Sequence, residues 1–127
     1  MENTILVVED ETPLQEAIKA KLLNSGFEVT TARTVGQALG VLEDVGGISV
    51  IWLDHYLLGK EDGLDFVAKL KNDDKWKSIP VFVVSNTASP DKVKSYISLG
   101  VSKYYTKSDY RLDQIIADIK EFLDKKE

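Results

Sequence analysis

Ile48-Ser49-Val50-Ile51-Trp52-Leu53 is the most apolar run of the chain, and it ends on Asp54. A short continuous run of β-branched and aromatic residues reads as a strand covered on both faces, the pattern of parallel sheets. Four similar segments recur at Thr4 to Val8, Phe27 to Thr31, Ile79 to Val84 and Val101 to Thr106, and they too are expected as buried strands. An ionised carboxylate directly after so apolar a strand is costly to bury without a partner. Asp54 is therefore either a turn residue or the focus of a site.

Between and after these runs lie five stretches with helical spacing. Leu112, Ile115, Ile116, Ile119, Phe122 and Leu123 fall on one face of a helix. Leu14, Ala17, Ile18 and Leu22 repeat the pattern, as do Val35, Ala38, Leu39 and Leu42, then Leu64, Val67 and Leu70, and more weakly Val93, Tyr96 and Ile97. Thr12-Pro13-Leu14-Gln15 and Thr34-Val35-Gly36-Gln37 predict capping boxes, and Ser89-Pro90 predicts an N-cap followed by proline at the first helical position. Gly26 and Gly100 sit where the first and fourth helices should stop. Strict β-α alternation, five times over, predicts a doubly wound α/β fold: a five-stranded parallel sheet with right-handed crossovers and helices on both faces.

At 127 residues, 43% hydrophobic and 29% charged, the chain has the size of one globular domain, expected to occupy 1-127 with no output domain. The absence of cysteine excludes thiol catalysis, zinc-thiolate sites and disulfide scaffolds, and the single histidine, His55, argues against Ser-His-Asp triads and His-rich metal sites. Sixteen basic residues against 21 acidic ones give a net charge of -5, the wrong sign for neutralising nucleic-acid phosphates. The first residues carry no basic leader, and no apolar run is long enough to span a bilayer. The expectation is a cytoplasmic protein with no membrane partner and no direct nucleic-acid partner.

In open sheets of this kind, ligands bind beyond the carboxyl ends of the strands, where the winding reverses. Glu9-Asp10-Glu11 follow the first strand, Asp54 the third, Ser85 the fourth and Lys107 the fifth, whereas the second ends blandly at Thr30-Thr31-Ala32. If strand two lies at an edge and strands one and three are neighbours, Glu9, Asp10 and Asp54 converge, with Glu11 left at the surface. Two carboxylates roughly 4 Å apart repel by about 4 kcal/mol at an effective dielectric near 20, so three need a compensating cation. Oxygen ligands with room for water suit Mg2+. Lys107 adds a second, fixed positive charge. Such a site stabilises developing phosphoryl charge, and carboxylates do act as covalent phosphoryl acceptors, so Asp54 is the candidate nucleophile.

In this order, Ile5-Leu6-Val7-Val8-Glu9-Asp10-Glu11, Trp52-Leu53-Asp54 followed by Asp62-Gly63-Leu64, Val83-Val84-Ser85, and Tyr104-Tyr105-Thr106-Lys107 resemble the CheY-like receiver domain of two-component response regulators. The resemblance covers essentially the whole chain. It implies the flavodoxin-like (βα)5 fold with strand order 2-1-3-4-5. It further implies Asp54 as phosphoacceptor, Glu9 and Asp10 as the acidic pair that holds Mg2+, and the backbone carbonyl of Tyr56 as a further metal ligand. Ser85 matches the hydroxyl that bonds the phosphoryl group, Lys107 the lysine that pairs with it, and Tyr104 the aromatic switch. Implied partners are a histidine kinase or histidine phosphotransfer protein and a downstream protein that docks on the face built from helix four, strand five and helix five. The oligomeric state implied is a monomer or weak phosphorylation-dependent dimer.

Three departures stand out. Gly59-Lys60-Glu61-Asp62-Gly63 is one residue longer than usual and lacks the proline common near Leu58; Glu9 replaces aspartate; and Ser108 stands where proline usually follows the lysine. A cis bond before a non-proline residue costs about 2.5 to 4 kcal/mol, so the Lys107-Ser108 bond is expected to be trans. Tyr56 and Thr87, two residues beyond Asp54 and Ser85, should flank the path of attacking water and tune the lifetime of the phosphoryl group, with the Tyr56 ring slowing hydrolysis. His55 is expected as a solvent-facing rim residue, and Trp52 and Trp76 as packing residues. The alternative is a receiver-like interaction module independent of phosphorylation, hinted at by Ser108 and the altered loop. A hydrolase or nucleotide binder is disfavoured: Glu9 to Thr12 offers no glycine-rich phosphate cradle, and Asp54-His55-Tyr56 lacks the second aspartate of phosphatases that use an aspartyl intermediate.

Overall fold

The five apolar runs pair side by side in parallel, with the first at the centre of the winding. The computed structural model describes residues 3–86 and 89–126. In chain order the elements are β1 (Thr4–Val8), α1 (Thr12–Asn24), β2 (Glu28–Ala32), α2 (Val35–Asp44), β3 (Ile48–Leu53), α3 (Gly63–Lys71), β4 (Val81–Ser85), α4 (Pro90–Leu99), β5 (Lys103–Thr106), a short 3-10 turn (Lys107–Asp109) and α5 (Leu112–Lys126). The strand order is β2-β1-β3-β4-β5, all parallel, as expected.

Alternation along each strand builds two cores, one on each face of the sheet. Ile5 and Val7 of β1, Val50 and Trp52 of β3, and Phe82 and Val84 of β4 pack with Ile18 and Leu22 of α1 and Ile115, Ile116 and Ile119 of α5. Leu6, Val8, Ile51, Leu53, Val81 and Val83 point the other way, against Ala38 and Leu42 of α2, Phe66, Val67 and Leu70 of α3, and Tyr96 of α4. Both faces of the three central strands are therefore covered, which is why these strands are uniformly apolar. Trp52 is fully buried, as a packing residue should be.

Boundaries moved where the local chemistry demanded it. β4 starts at Val81 rather than Ile79 because Pro80 has no N–H for the ladder; its carbonyl still accepts from Ile51 N at 2.9 Å. β5 starts at Lys103 because Gly100, at φ +92°, closes α4 in the left-handed conformation and two residues are spent returning to the sheet. The first helix corrects the expected Thr12 cap. Glu11 holds the N-cap position without a side-chain cap bond, and Gln15 turns inward instead of back toward Thr12. At α2 the Thr34 hydroxyl accepts from Gln37 N at 3.0 Å, but the Gln37 side-chain Oε1 accepts from Arg33 N, one residue upstream of a reciprocal box. The complete capping box is at α3, where Asp62 and Asp65 exchange bonds of 2.8 and 3.1 Å. Every described peptide bond is trans, that between Lys107 and Ser108 included. Among the described residues no helix is long and apolar enough to cross a membrane.

Candidate functional site

The carboxyl ends of β1, β3, β4 and β5 open onto one site, because β1 lies between β2 and β3. Just beyond β1, Glu9 N donates to Ala32 O at 3.0 Å, and Asp54 N donates to Val8 O at 2.9 Å, so the ladder itself sets Glu9 beside Asp54. Carboxylate oxygens of Glu9, Asp10 and Asp54 lie within 4.8 Å of one another. Glu9 is fully buried and Asp54 is 3% exposed, while Asp10 sits nearer the rim. Lys107, the first residue of the 3-10 turn, brings Nζ to 2.9 Å from Glu9 Oε1 and 3.6 Å from Asp54 Oδ2. Backbone N–H groups complete the shell: His55 N donates to Asp54 Oδ1 at 2.9 Å and Glu11 N to Glu9 Oε2 at 3.2 Å. Ser85 is fully buried at the end of β4, and the half-buried Tyr104 stands on the adjacent strand β5.

Crowded acids in a dry site hold their protons. Burial, then the neighbouring Asp54 charge, pushes Glu9 up from the usual carboxyl range to about 7, against the opposing pull of Lys107. Burial also raises Asp54, although Lys107 and hydrogen bonds from its neighbours oppose the shift. For Lys107 burial works against the charge, but its bond to Glu9 and the charge of Asp54 outweigh it and raise the ammonium above its ordinary value. Fully ionised, three carboxylates and one ammonium leave two negative charges in excess. That excess, with an all-oxygen donor set, fits a small hard divalent cation held by Glu9, Asp10 and Asp54.

Two residues that brace this site carried no functional weight in the sequence. Gln15 Nε2 donates to the carbonyls of Glu9 (2.9 Å) and Ala32 (3.2 Å), and Arg33 Nη2 and Nε donate to the carbonyl of Asp10 at 3.0 and 3.2 Å. The end of β2, read as bland, therefore clamps the acidic turn. Its signal was present in Arg33, the residue just past Ala32, but a surface arginine is commonplace and only the tertiary fold gives it a target.

His55 is the clearest correction: it is no rim residue but 2% exposed. The longer segment after β3 folds back so that Gly63 N donates to His55 O at 2.9 Å, and α3 and α4 then close over the imidazole. Its Nδ1 lies 2.6 Å from the Tyr96 hydroxyl and its Nε2 3.7 Å from Asp62. Burial lowers its pKa below the ordinary histidine value, against the attraction of Asp62. Tyr56 points outward, 52% exposed, with Lys92 Nζ 5.2 Å above its ring. Thr87 lies outside the described residues.

The chain is similar to proteins of the response regulator family. The family profile of the response regulator receiver domain matches residues 5–120. The phosphate regulon transcriptional regulatory protein PhoB of Pseudomonas aeruginosa is 32% identical over 104 residues, which are 82% of this chain and 44% of that protein. The chain thus spans less than half of that relative's length. Among solved structures, the phosphorylated cyanobacterial phytochrome response regulator RcpA is 32% identical at a TM-score of 0.81, covering 96% of this chain and 91% of that one. The Mn(2+)-bound form of response regulator Rcp1 is 27% identical at a TM-score of 0.81, covering 95% and 94%. With the sheet order, the strand-end residues and a match over nearly its full length, the chain belongs to the response regulator receiver domain family of two-component signalling.

Proposed function

We propose that the chain is a phosphorylation-driven switch that accepts a phosphoryl group on Asp54. The observation that carries this reading is the convergence of Glu9, Asp10 and Asp54 around one point with Lys107 Nζ beside two of them. An Asp54 carboxylate oxygen attacks phosphorus, the new O–P bond forms as the bond to the donor breaks, and the donor leaves with its bonding electrons. From a histidine kinase or histidine phosphotransfer protein the leaving group is an imidazole, which takes up a proton. Lys107 neutralises charge on the transferred oxygens, and Ser85 hydrogen-bonds one of them. Glu9, Asp10, Asp54 and the Tyr56 carbonyl would hold Mg2+, which supplies further neutralisation of the phosphoryl oxygens.

Drawing the Ser85 hydroxyl toward the phosphoryl group frees Tyr104 to turn inward and alters the face of α4, β5 and α5. Ile97, 54% exposed on α4, marks that face as a place for a downstream protein partner. The ring of Tyr56 stands at the mouth of the site and, with Thr87, limits in-line approach of water, so self-dephosphorylation is slow. The domain acts in the cytoplasm as a single receiver unit over 1-127, with no membrane or direct nucleic-acid contact, as a monomer or weak phosphorylation-dependent dimer. It catalyses its own phosphoryl gain and loss and no other reaction. The reading of a phosphorylation-independent module is weaker, because Ser108 leaves Lys107 within reach of both Glu9 and Asp54.

Incubation with acetyl phosphate and Mg2+ tests the proposal by intact-mass spectrometry. One hydroxylamine-sensitive phosphoryl adduct is expected, absent in Asp54→Ala and suppressed by EDTA. An adduct that persists in Asp54→Ala, or none in the wild-type chain, overturns it.

A further inference from the structure

A buried link joins the phosphoacceptor strand to α4 by a route that none of the roles above requires. His55 follows Asp54 directly and its N–H holds Asp54 Oδ1, while its ring Nδ1 lies 2.6 Å from the Tyr96 hydroxyl. Tyr96 is fully buried, and it is the one residue of α4 that is. The helix is therefore moored to the core chiefly through this side chain. Buried hydroxyl and imidazole groups each need a partner, and these two satisfy one another. Asp62, facing Nε2 at 3.7 Å, favours the tautomer with its proton on Nε2, so Tyr96 donates to Nδ1. The Tyr96 ring also meets the Tyr104 ring, on β5, at 5.7 Å between centres. Asp54, His55, Tyr96 and Tyr104 thus form a continuous chain of contacts beside the site.

We propose that His55 and Tyr96 are positioning residues of the switch, their hydrogen bond carrying the state of Asp54 to α4. Esterifying the Asp54 carboxylate withdraws charge from the oxygen that accepts from His55 N. The His55 backbone, and the ring fixed to it, are then the first groups beyond the carboxylate to respond. The bond passes that response to the helix, in parallel with the path through Ser85 and Tyr104. This inference rests on Asp54 being the phosphoacceptor.

Hydrogen–deuterium exchange of the full chain, with and without acetyl phosphate and Mg2+, provides the test. In the wild-type chain phosphorylation is expected to change exchange across Pro90–Leu99. Tyr96→Phe should still take phosphate on Asp54 yet lose most of that change. His55→Leu should lose it too, whereas His55→Asn, which offers a carboxamide oxygen to the Tyr96 hydroxyl, should keep it; this pair decides the matter if Tyr96→Phe does not fold. A full α4 response in phosphorylated Tyr96→Phe, or an equal loss in His55→Asn and His55→Leu, overturns the inference and leaves the phosphoacceptor role standing. A wild-type chain that takes no phosphate overturns that role, and this inference with it.

Discussion

Gly63 has the least room of the described glycines, packed against Tyr96 and the backbone of Asp54 and His55. A Cβ there would run into the Tyr96 hydroxyl and stand 3.0 Å from the Asp54 carbonyl oxygen and 3.1 Å from His55 Cα. Two of these obstacles are backbone and the third is a buried hydroxyl already engaged with His55, so none yields cheaply. Gly63→Ala is expected to destabilise the protein by about 2 kcal/mol, the usual scale of overpacking, as measured by urea unfolding. Since the hydroxyl is one of the obstacles, the same substitution in a Tyr96→Phe background should cost less than in the wild type. Equal costs in the two backgrounds would mean that the backbone contacts alone set the strain.

Strands and helices differ in how openly they declare themselves. The central strands were legible because both faces are apolar, and the positions of Asp54, Ser85 and Lys107 followed once their strands were counted. Glu9 and Asp10 were legible as a pair because they follow the first strand directly. The connections were not legible to the same degree. His55 looked exposed because nothing in a one-dimensional reading says that the segment from Gly59 to Gly63 doubles back over it, and Tyr96 passed as an ordinary apolar position of a weak helix. Arg33 and Gln15 act on backbone carbonyls, whose positions only the fold supplies. Between β3 and α4 the same argument yields a prediction about lifetime. In the proposed function the Tyr56 ring, which lies 5.2 Å from Lys92 Nζ, limits the approach of water to the Asp54 adduct. Tyr56→Ala should shorten the half-life of the Asp54 adduct severalfold, equivalent to about 1 kcal/mol of barrier, in a decay followed by mass spectrometry. An unchanged half-life would remove the ring from any part in hydrolysis.

For the molecule as a whole, the acid cluster ties folding, protons and metal into one balance. Glu9 binds its proton more tightly in the folded state, with a pKa near 7 against an ordinary 4.5, and Asp54 shifts in the same direction. A carboxyl raised in this way contributes stability that is fully present below its unfolded value and is lost as pH rises through its folded one. Without metal, Glu9 therefore weakens the fold between about pH 4.5 and 7, and Asp54 acts in the same sense above its ordinary value of 3.8. His55, lowered by burial, acts in the opposite sense: its contribution to the fold grows as pH rises toward its unfolded value of 6.5 and is fully present above it. The total pH profile is thus blunted, and the effect of Mg2+ is the sharper observable, because the ion competes with the protons on the carboxylates and not with the buried imidazole. At a hundredfold excess over its dissociation constant, an ion that binds only the folded state adds about 2.7 kcal/mol. The rise in Tm produced by a fixed Mg2+ concentration should be small at pH 5 and grow toward pH 8, as the proton on Glu9 is given up. Glu9→Gln should flatten that dependence, since it removes a carboxyl whose proton competes with the ion up to about pH 7. An increment in Tm that is the same at pH 5 and pH 8 would mean that the ion binds somewhere other than these three carboxylates.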